Sequence, residues 1–302
     1  MTSNPPALPV TQETQPWTVG RLLTWTADFL KDRGSDSPRL DAEVLLAHAR
    51  GCPRIALYTD FGETVTDDVR DRFRQMVRRR AEGAPVAYLV GHKEFFSLEF
   101  AVSPAVLIPR PETEFVVMEF LTLAKDLPAP KVVDVGTGSG NIAVAVARHH
   151  PGALVTAIDI SREALALAGR NAETHGVADR IRFVESDLFD AIEPDAAFDF
   201  VLSNPPYVAS DEWDALPGGV RDYEPRVALD GGRGGTEVVD RLIGQAAARL
   251  NPGGHLILEI GAPQEEAVRR LVAEHEGFIL SPTLRDYSGH PRVVRARWTG
   301  KA

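Results

Sequence analysis

The chain has 302 residues, 44% of them hydrophobic and 25% charged, with 25 glycines and 22 prolines, proportions that exclude a collagen-like, coiled-coil or wholly disordered protein. Its formal net charge is −10, carried entirely by residues 91–302 because residues 1–90 balance acids against bases, which argues against stable nucleic-acid binding through phosphates. No apolar run reaches the roughly 18 residues a membrane span needs, Met1–Gln15 lacks the basic start and apolar core of a signal peptide, and the single cysteine, Cys52, requires no oxidising compartment, so a cytoplasmic protein is expected.

Residues 1–16 are polar and proline-rich, which predicts a disordered lead-in. From Thr18, a potential N-cap, Leu22, Leu23, Ala27 and Leu30 recur at helical spacing until Gly34. Leu40, Val44, Leu45 and Ala47 mark a second helix, stopped by Gly51 and Pro53. A third follows Thr66 through Val69, Phe73, Met76 and Val77 to about Glu82. Residues 17–84 thus read as a small helical, substrate-docking domain with Cys52 in its core. Arg70, Arg72, Arg74, Arg78, Arg79 and Arg80 crowd the third helix; a solvated face is the default reading and a docking surface the sharper one.

Residues 85–110 read as a β-hairpin and linker: Lys93–Val102 is rich in aromatic and β-branched residues around a turn-like Ser97, and prolines stand at 104, 109 and 111. Residues 111–302 then alternate short apolar runs (Lys131–Val135, Leu154–Ile158, Ile181–Val184, Phe198–Leu202, His255–Ile260) with helical stretches (Ile142–Ala147, Glu163–Ala172, Val238–Leu250). That pattern means βαβ units and a mostly parallel, Rossmann-like α/β sheet. Phe278–Leu280 and Arg292–Trp298 are too close for a crossover helix and are predicted to form an antiparallel hairpin at the sheet edge.

The first of these strands ends in Asp134-Val135-Gly136-Thr137-Gly138-Ser139-Gly140. Glycines there allow a sharp turn and close approach of a ligand to the next helix's amino terminus. A dinucleotide fingerprint needs a further glycine where Asn141 stands. The alternation D-x-G-x-G-x-G instead resembles motif I of the class I methyltransferases, which bind S-adenosylmethionine. The second strand ends at Asp159, where a carboxylate suits ribose hydroxyls but is also placed to cap the following helix. The third leads to Asp187 and Leu188, candidates for the adenine amino group and ring.

After the fourth strand comes Ser203-Asn204-Pro205-Pro206-Tyr207. Two prolines stiffen the turn, and the Asn204 side-chain carbonyl with the Pro205 main-chain carbonyl offers two acceptors for the two protons of an NH₂ group. Tyr207 offers a flat face for a planar amide or base. The two motifs together resemble the amino-methyltransferases. Leu40–Glu43, Tyr88–Phe95, Leu107–Glu114, Glu224-Pro225, Ala228-Leu229, Pro252–Gly254 and Leu258–Gly261 narrow the resemblance, over residues 18–298, to the HemK family of protein-glutamine methyltransferases.

The resemblance implies methyl transfer from S-adenosyl-L-methionine, leaving S-adenosyl-L-homocysteine, to the glutamine amide of the Gly-Gly-Gln loop of class 1 peptide chain release factors, without a metal. It implies that Asp134, Gly136, Thr137, Gly138, Ser139, Gly140, Asp159, Asp187, Leu188 and Asn204 hold the cofactor. Asn204, Pro205, Pro206 and Tyr207 hold the glutamine, with Asn204, Pro205 and Tyr207 catalytic. Leu188 occupies a position often aromatic in relatives. Methylation of an exocyclic amine of DNA or RNA is the alternative. Arg110, Glu112 and Glu114 are read as loop-ordering residues, since an amide nitrogen attacking a sulfonium methyl needs little general-base help.

Overall fold

The computed structural model describes residues 16–300; all but the last residue of the lead-in expected over 1–16 lies outside the described residues. The chain divides after Val90 into two compact units. In the first, helix α1 (Val19–Lys31) starts where the Thr18 hydroxyl accepts the Arg21 N–H at 3.3 Å, satisfying a donor that the first turn leaves free. Helix α2 (Pro38–Arg50) stops at Gly51, whose φ of 65° makes a left-handed cap. Helix α3 (Ala56–Thr59), α4 (Asp67–Ala81) and α5 (Val86–Val90) complete the unit. Leu22, Leu23, Leu30, Leu45, Phe73 and Val77, which the helical spacing marks, are buried together with Leu46, whereas Leu40, marked for the same reason, is exposed because it lies on the outer face of its helix.

Helices α3 and α5 are too short to leave a periodic signal, and α5 carries the helical unit past residue 84. Cys52 is only half-buried, because it follows the Gly51 cap and not a core position. Three of the arginines on α4, Arg70, Arg72 and Arg74, pair with Asp67, Asp68 and Asp71 of the same helix at 2.9, 2.6 and 2.8 Å. Arg80 differs: it reaches the buried Asp41 of α2 at 2.7 Å and ties the two helices together.

The second unit opens with the hairpin β1 (His92–Phe95) and β2 (Leu98–Ala101). Its turn residues Phe96 and Ser97 both have positive φ, 51° and 58°, as a two-residue hairpin turn requires. The Phe96 N–H donates to Glu114 at 2.9 Å. Glu114 begins α6 (Glu114–Ala124), and the alternating region follows: β3 (Lys131–Val135), α7 (Asn141–His149), β4 (Leu154–Asp159), α8 (Arg162–Thr174), β5 (Ile181–Glu185), β6 (Phe198–Ser203), α9 (Gly218–Arg221), α10 (Glu237–Ala247), β7 (Leu250–Glu259), α11 (Glu265–Glu274), β8 (Phe278–Leu280), β9 (Leu284–Arg285) and β10 (Pro291–Trp298).

The sheet order is β5-β4-β3-β6-β7-β10-β8, with β9 also on β10. Strands β3 to β7 are mutually parallel. β10 pairs antiparallel with β8, but it also pairs antiparallel with β7, so only β8 of the expected edge hairpin lies at the edge. Val293, Val294 and Ala296 of β10 are all buried, and burial on both faces belongs to an interior strand. Neighbouring residues feed opposite faces: Val132, Phe200 and Ile257 enter one core, Val133, Val201 and Leu258 the other. From β3 the chain proceeds outward to β4 and β5, then returns to β6 on the other side. That reversal opens a crevice beyond the carboxyl ends of β3 and β6.

Candidate active site

The glycine loop is held shut from below. Gly136 and Thr137 N–H both donate to the Ile158 carbonyl at 2.8 Å, pinning the loop to the end of β4. Asp134 is fully buried, and one of its oxygens accepts the Thr137 hydroxyl at 2.6 Å and the Ala143 N–H at 3.1 Å. It therefore braces the loop and the first turn of α7 together. Gly138 is bound by conformation, with φ 54°. Gly140 is bound by both, since its φ is 80° and a Cβ there would lie 3.0 Å from that of Ala168, so this glycine lets α7 approach α8.

A cavity of about 550 Å³ lies over this loop. Residues 136–139, Asp159, Asp187, Leu188, Asn204 and Pro206 line it. Asp134, Gly140, Pro205 and Tyr207 do not; Asp134 and Gly140 shape the loop from beneath, and Pro205 is buried in the turn. Asp159 accepts the Gly138 N–H at 2.8 Å and the Ser161 N–H at 2.9 Å, one on each oxygen. Burial pushes its carboxyl above the usual range. It is not the cap of α8, which is Ser161, accepting from Ala164. Asp187 has one oxygen committed to Arg241 of α10 at 2.7 Å, and Arg241 itself lines the cavity. Leu188 is buried with φ 49°, its side chain on the cavity wall.

At the other end stands Asn204. Its Nδ2 donates to the Thr113 hydroxyl at 3.1 Å, while its Oδ1 is buried and accepts no hydrogen bond from the chain. Ser203, just before it, donates to the Val135 carbonyl at 2.6 Å, which locks the ends of β3 and β6. The turn after Asn204 is gripped from behind by the glycine-rich segment 231–235. Gly231 N–H donates to the Val208 carbonyl at 2.8 Å, and Gln264 donates to the Tyr207 carbonyl at 2.7 Å. A Cβ on Gly231 would sit 2.6 Å from the Pro206 carbonyl oxygen, so backbone must move. Gly231→Ala is expected to displace the turn, costing about 1 kcal/mol or more in stability and lowering kcat more than cofactor affinity. Thermal melts, steady-state rates and calorimetry would show this, and unchanged kcat would release the turn from that dependence.

Comparison with known proteins places these features together. Residues 21–91 match the PrmC N-terminal domain and residues 115–216 the methyltransferase small domain. The chain is 50% identical over 289 residues to the release factor glutamine methyltransferase of Rhodopirellula baltica, covering 94% of this chain and 97% of that protein. The chain belongs to the release factor glutamine methyltransferase family. Family members from Geobacter sulfurreducens (41% identical, 95% and 99% covered) and Salmonella typhimurium (43%, 88% and 95%) are similar over the same extent. The catalytic domain of hMettl16 shares the class I methyltransferase fold, with TM-score 0.55 and 18% identity over 75% of this chain and 82% of that one. A methyltransferase from Pyrococcus furiosus does too, at TM-score 0.50 and 21% identity over 76% and 98%.

In this family member the loop-ordering reading of the charged linker agrees with the contacts. Arg110 pairs with the buried Glu224, which also accepts the Ile108 N–H at 3.1 Å; Glu114 holds the hairpin turn; and Glu112 faces Arg292 at 3.7 Å. Thr113, Arg241, Gly231 and Gln264 were not marked as site residues by the sequence. Each is a single residue far along the chain from its partner, and only the fold makes it local. Among the described residues no group of three or more His, Cys, Asp or Glu side chains is placed to hold a metal ion. No helix among them is long and apolar enough to cross a membrane.

Two acids under the site are raised. Burial pushes Asp134 from the ordinary 3.8 to about 7, and Glu259 from 4.5 to about 7. The folded chain thus binds these protons more tightly than the unfolded chain. Their contribution favours folding at low pH, erodes as pH rises from about 4 towards 7, and is constant above that. Asp134→Asn is expected to remove about one proton from this slope, read as a smaller drop in urea midpoint between pH 5 and pH 8 than in the parent. Parallel drops would show that Asp134 ionises freely in the folded state.

Proposed function

We propose that this chain transfers the methyl group of S-adenosyl-L-methionine to the glutamine side-chain amide in the Gly-Gly-Gln loop of class 1 release factors, in the cytoplasm. The observation that carries the reading is Asn204, which lines the cavity: its side-chain oxygen is buried and accepts nothing from the chain, with its own amide nitrogen tied back to Thr113. A lone acceptor of that kind suits the N–H of an incoming amide.

The cavity also suits the cofactor. Its size falls among those that enclose small ligands, and each Asp159 oxygen keeps a lone pair beyond the one N–H it accepts here. Asp159 would hold the ribose, Ile160, Leu188 and Val238 would wall the adenine, and residues 136–139 would line the methionine arm. When bound, S-adenosylmethionine supplies an electrophilic methyl on a sulfonium centre. Asn204 Oδ1 accepts one amide proton and holds the nitrogen with its lone pair toward that methyl. Bond formation from nitrogen to carbon accompanies cleavage of carbon from sulfur, which keeps the electron pair; one nitrogen proton then leaves to water. Most of the rate gain comes from this alignment. The helical unit, residues 17–84 with α5, is proposed to dock the protein substrate.

Incubation with labelled cofactor and, separately, a class 1 release factor, its Gly-Gly-Gln peptide and nucleic acid tests the reading. Label in the glutamine-bearing tryptic peptide, one methylene heavier by mass, is expected. Label in nucleic acid alone would overturn it.

A further inference from the structure

Two walls of the cavity come from distant segments, and we propose that one buried carboxylate, that of Glu224, clasps them together and keeps the cavity in its binding-competent shape. The proposal rests on the cofactor occupying this cavity, as read above. One wall is the linker before α6, where Leu107, Pro109 and Arg110 line the cavity; the other lies between α9 and α10, where Pro225, Arg226 and Val227 do. Ile108 and Glu224 are not among the lining residues. Both are buried, each 5% exposed, and through them the two segments meet. Glu224 Oε2 accepts the Ile108 N–H at 3.1 Å, across 116 positions of the chain, and Oε1 accepts from the Arg110 guanidinium.

The two walls are not equally fastened. Asp230, at the end of the second, accepts from Arg226 at 2.9 Å, from the Ser210 hydroxyl at 2.7 Å and from the Gly232 N–H at 3.1 Å. The Leu229 carbonyl accepts the Val208 N–H at 2.9 Å, so this wall is tied to the chain just past Tyr207. Among the described residues, the hydrogen bonds that leave segment 107–110 for a distant part of the chain both end on Glu224. Pro109 has no N–H to give. Without the carboxylate, the Ile108 N–H would be buried and unpaired, and it recovers a partner only by moving toward water. The first wall would then part from the second, and apparent affinity falls with the fraction of molecules that stay closed. The parting would be felt at the Asn204 end of the cavity. Thr113, whose hydroxyl accepts from Asn204, donates its N–H to the Arg110 carbonyl at 3.2 Å, within the turn that Glu224 holds.

Glu224 is accordingly a positioning residue, and its loss should show in cofactor binding before turnover. Glu224→Ala is expected to weaken S-adenosylhomocysteine about tenfold by calorimetry, the worth of a hydrogen bond to a charged group, and to raise KM for S-adenosylmethionine by a similar factor. kcat at saturating cofactor should fall far less, because bound cofactor itself holds the walls closed. Adenosine, which lacks the methionine arm, should bind within about twofold of the parent. Glu224→Gln keeps one accepting oxygen and turns an N–H toward the other donor, so its affinity for S-adenosylhomocysteine should fall between parent and alanine. Parent-like affinity in Glu224→Ala, or equal losses for adenosine and S-adenosylhomocysteine, would overturn the proposal. If Glu224→Ala does not fold, parent-like affinity in Glu224→Gln overturns it instead. Occupation of this cavity is read separately, from the Leu188 methyl NMR signals of the parent, assigned by their absence in Leu188→Met. They should shift when S-adenosylhomocysteine is added. Without that shift the site reading fails and the clasp with it; with the shift, parent-like binding by the Glu224 variants removes the clasp alone.

Discussion

Replacing Asn204 with alanine is expected to lower kcat on a release factor about a thousandfold, or roughly 4 kcal/mol of transition-state stabilisation. The substitution removes the buried, unpartnered acceptor of a cavity-lining residue, and with it the alignment of the amide nitrogen to the methyl. Loss of orientation alone carries penalties of this order. Cofactor affinity should stay within a fewfold, because the glycine loop, Asp159 and the adenine wall are untouched. Single-turnover methylation and calorimetry with S-adenosylhomocysteine separate the two quantities. A variant with near-parent kcat would sink the mechanism.

The second large effect belongs to Asp159. Asp159→Ala should weaken S-adenosylmethionine and S-adenosylhomocysteine together by about 1.5–3 kcal/mol, the range of a charge-assisted hydrogen bond. Its kcat at saturating cofactor should change far less, since the carboxylate sits at the ribose end and not at the methyl. The structure shows why a competing account exists: both oxygens accept loop or helix N–H groups, from Gly138 and Ser161. If those bonds were the residue's whole role, alanine would lower thermal stability and leave both titration heats as they are. Unchanged heats would make Asp159 a brace for the glycine loop only.

Much of the site was legible before any fold was known, because its signals are contiguous. The D-x-G-x-G-x-G run and Asn204-Pro205-Pro206-Tyr207 each spell a backbone shape and a chemistry within a few residues. Thr18 and Gly51 likewise announce helix ends through bonds to immediate neighbours. The buried acids were legible only as residue types. Asp134 reads as a cofactor residue in the motif, yet one of its oxygens serves both Thr137 and Ala143 beneath the loop and the other is buried without a partner.

The alternation of strands and helices, the loop that would cradle a nucleoside and the turn that would hold an amide are all written along the chain. Each is encoded by local conformational preference: glycine at positive φ, proline at fixed φ, apolar residues at a fixed period. Tertiary packing puts β10 inside the sheet and not along its edge, brings Arg241 to Asp187, sets segment 231–235 behind the turn, and joins Asn204 to Thr113. These contacts join residues dozens of positions apart, and a lone threonine, glutamate or arginine carries no mark of its partner. Only closure of the sheet brings the end of β6 beside the start of α6, and that proximity turns an asparagine and a threonine 91 positions apart into a hydrogen-bonded pair.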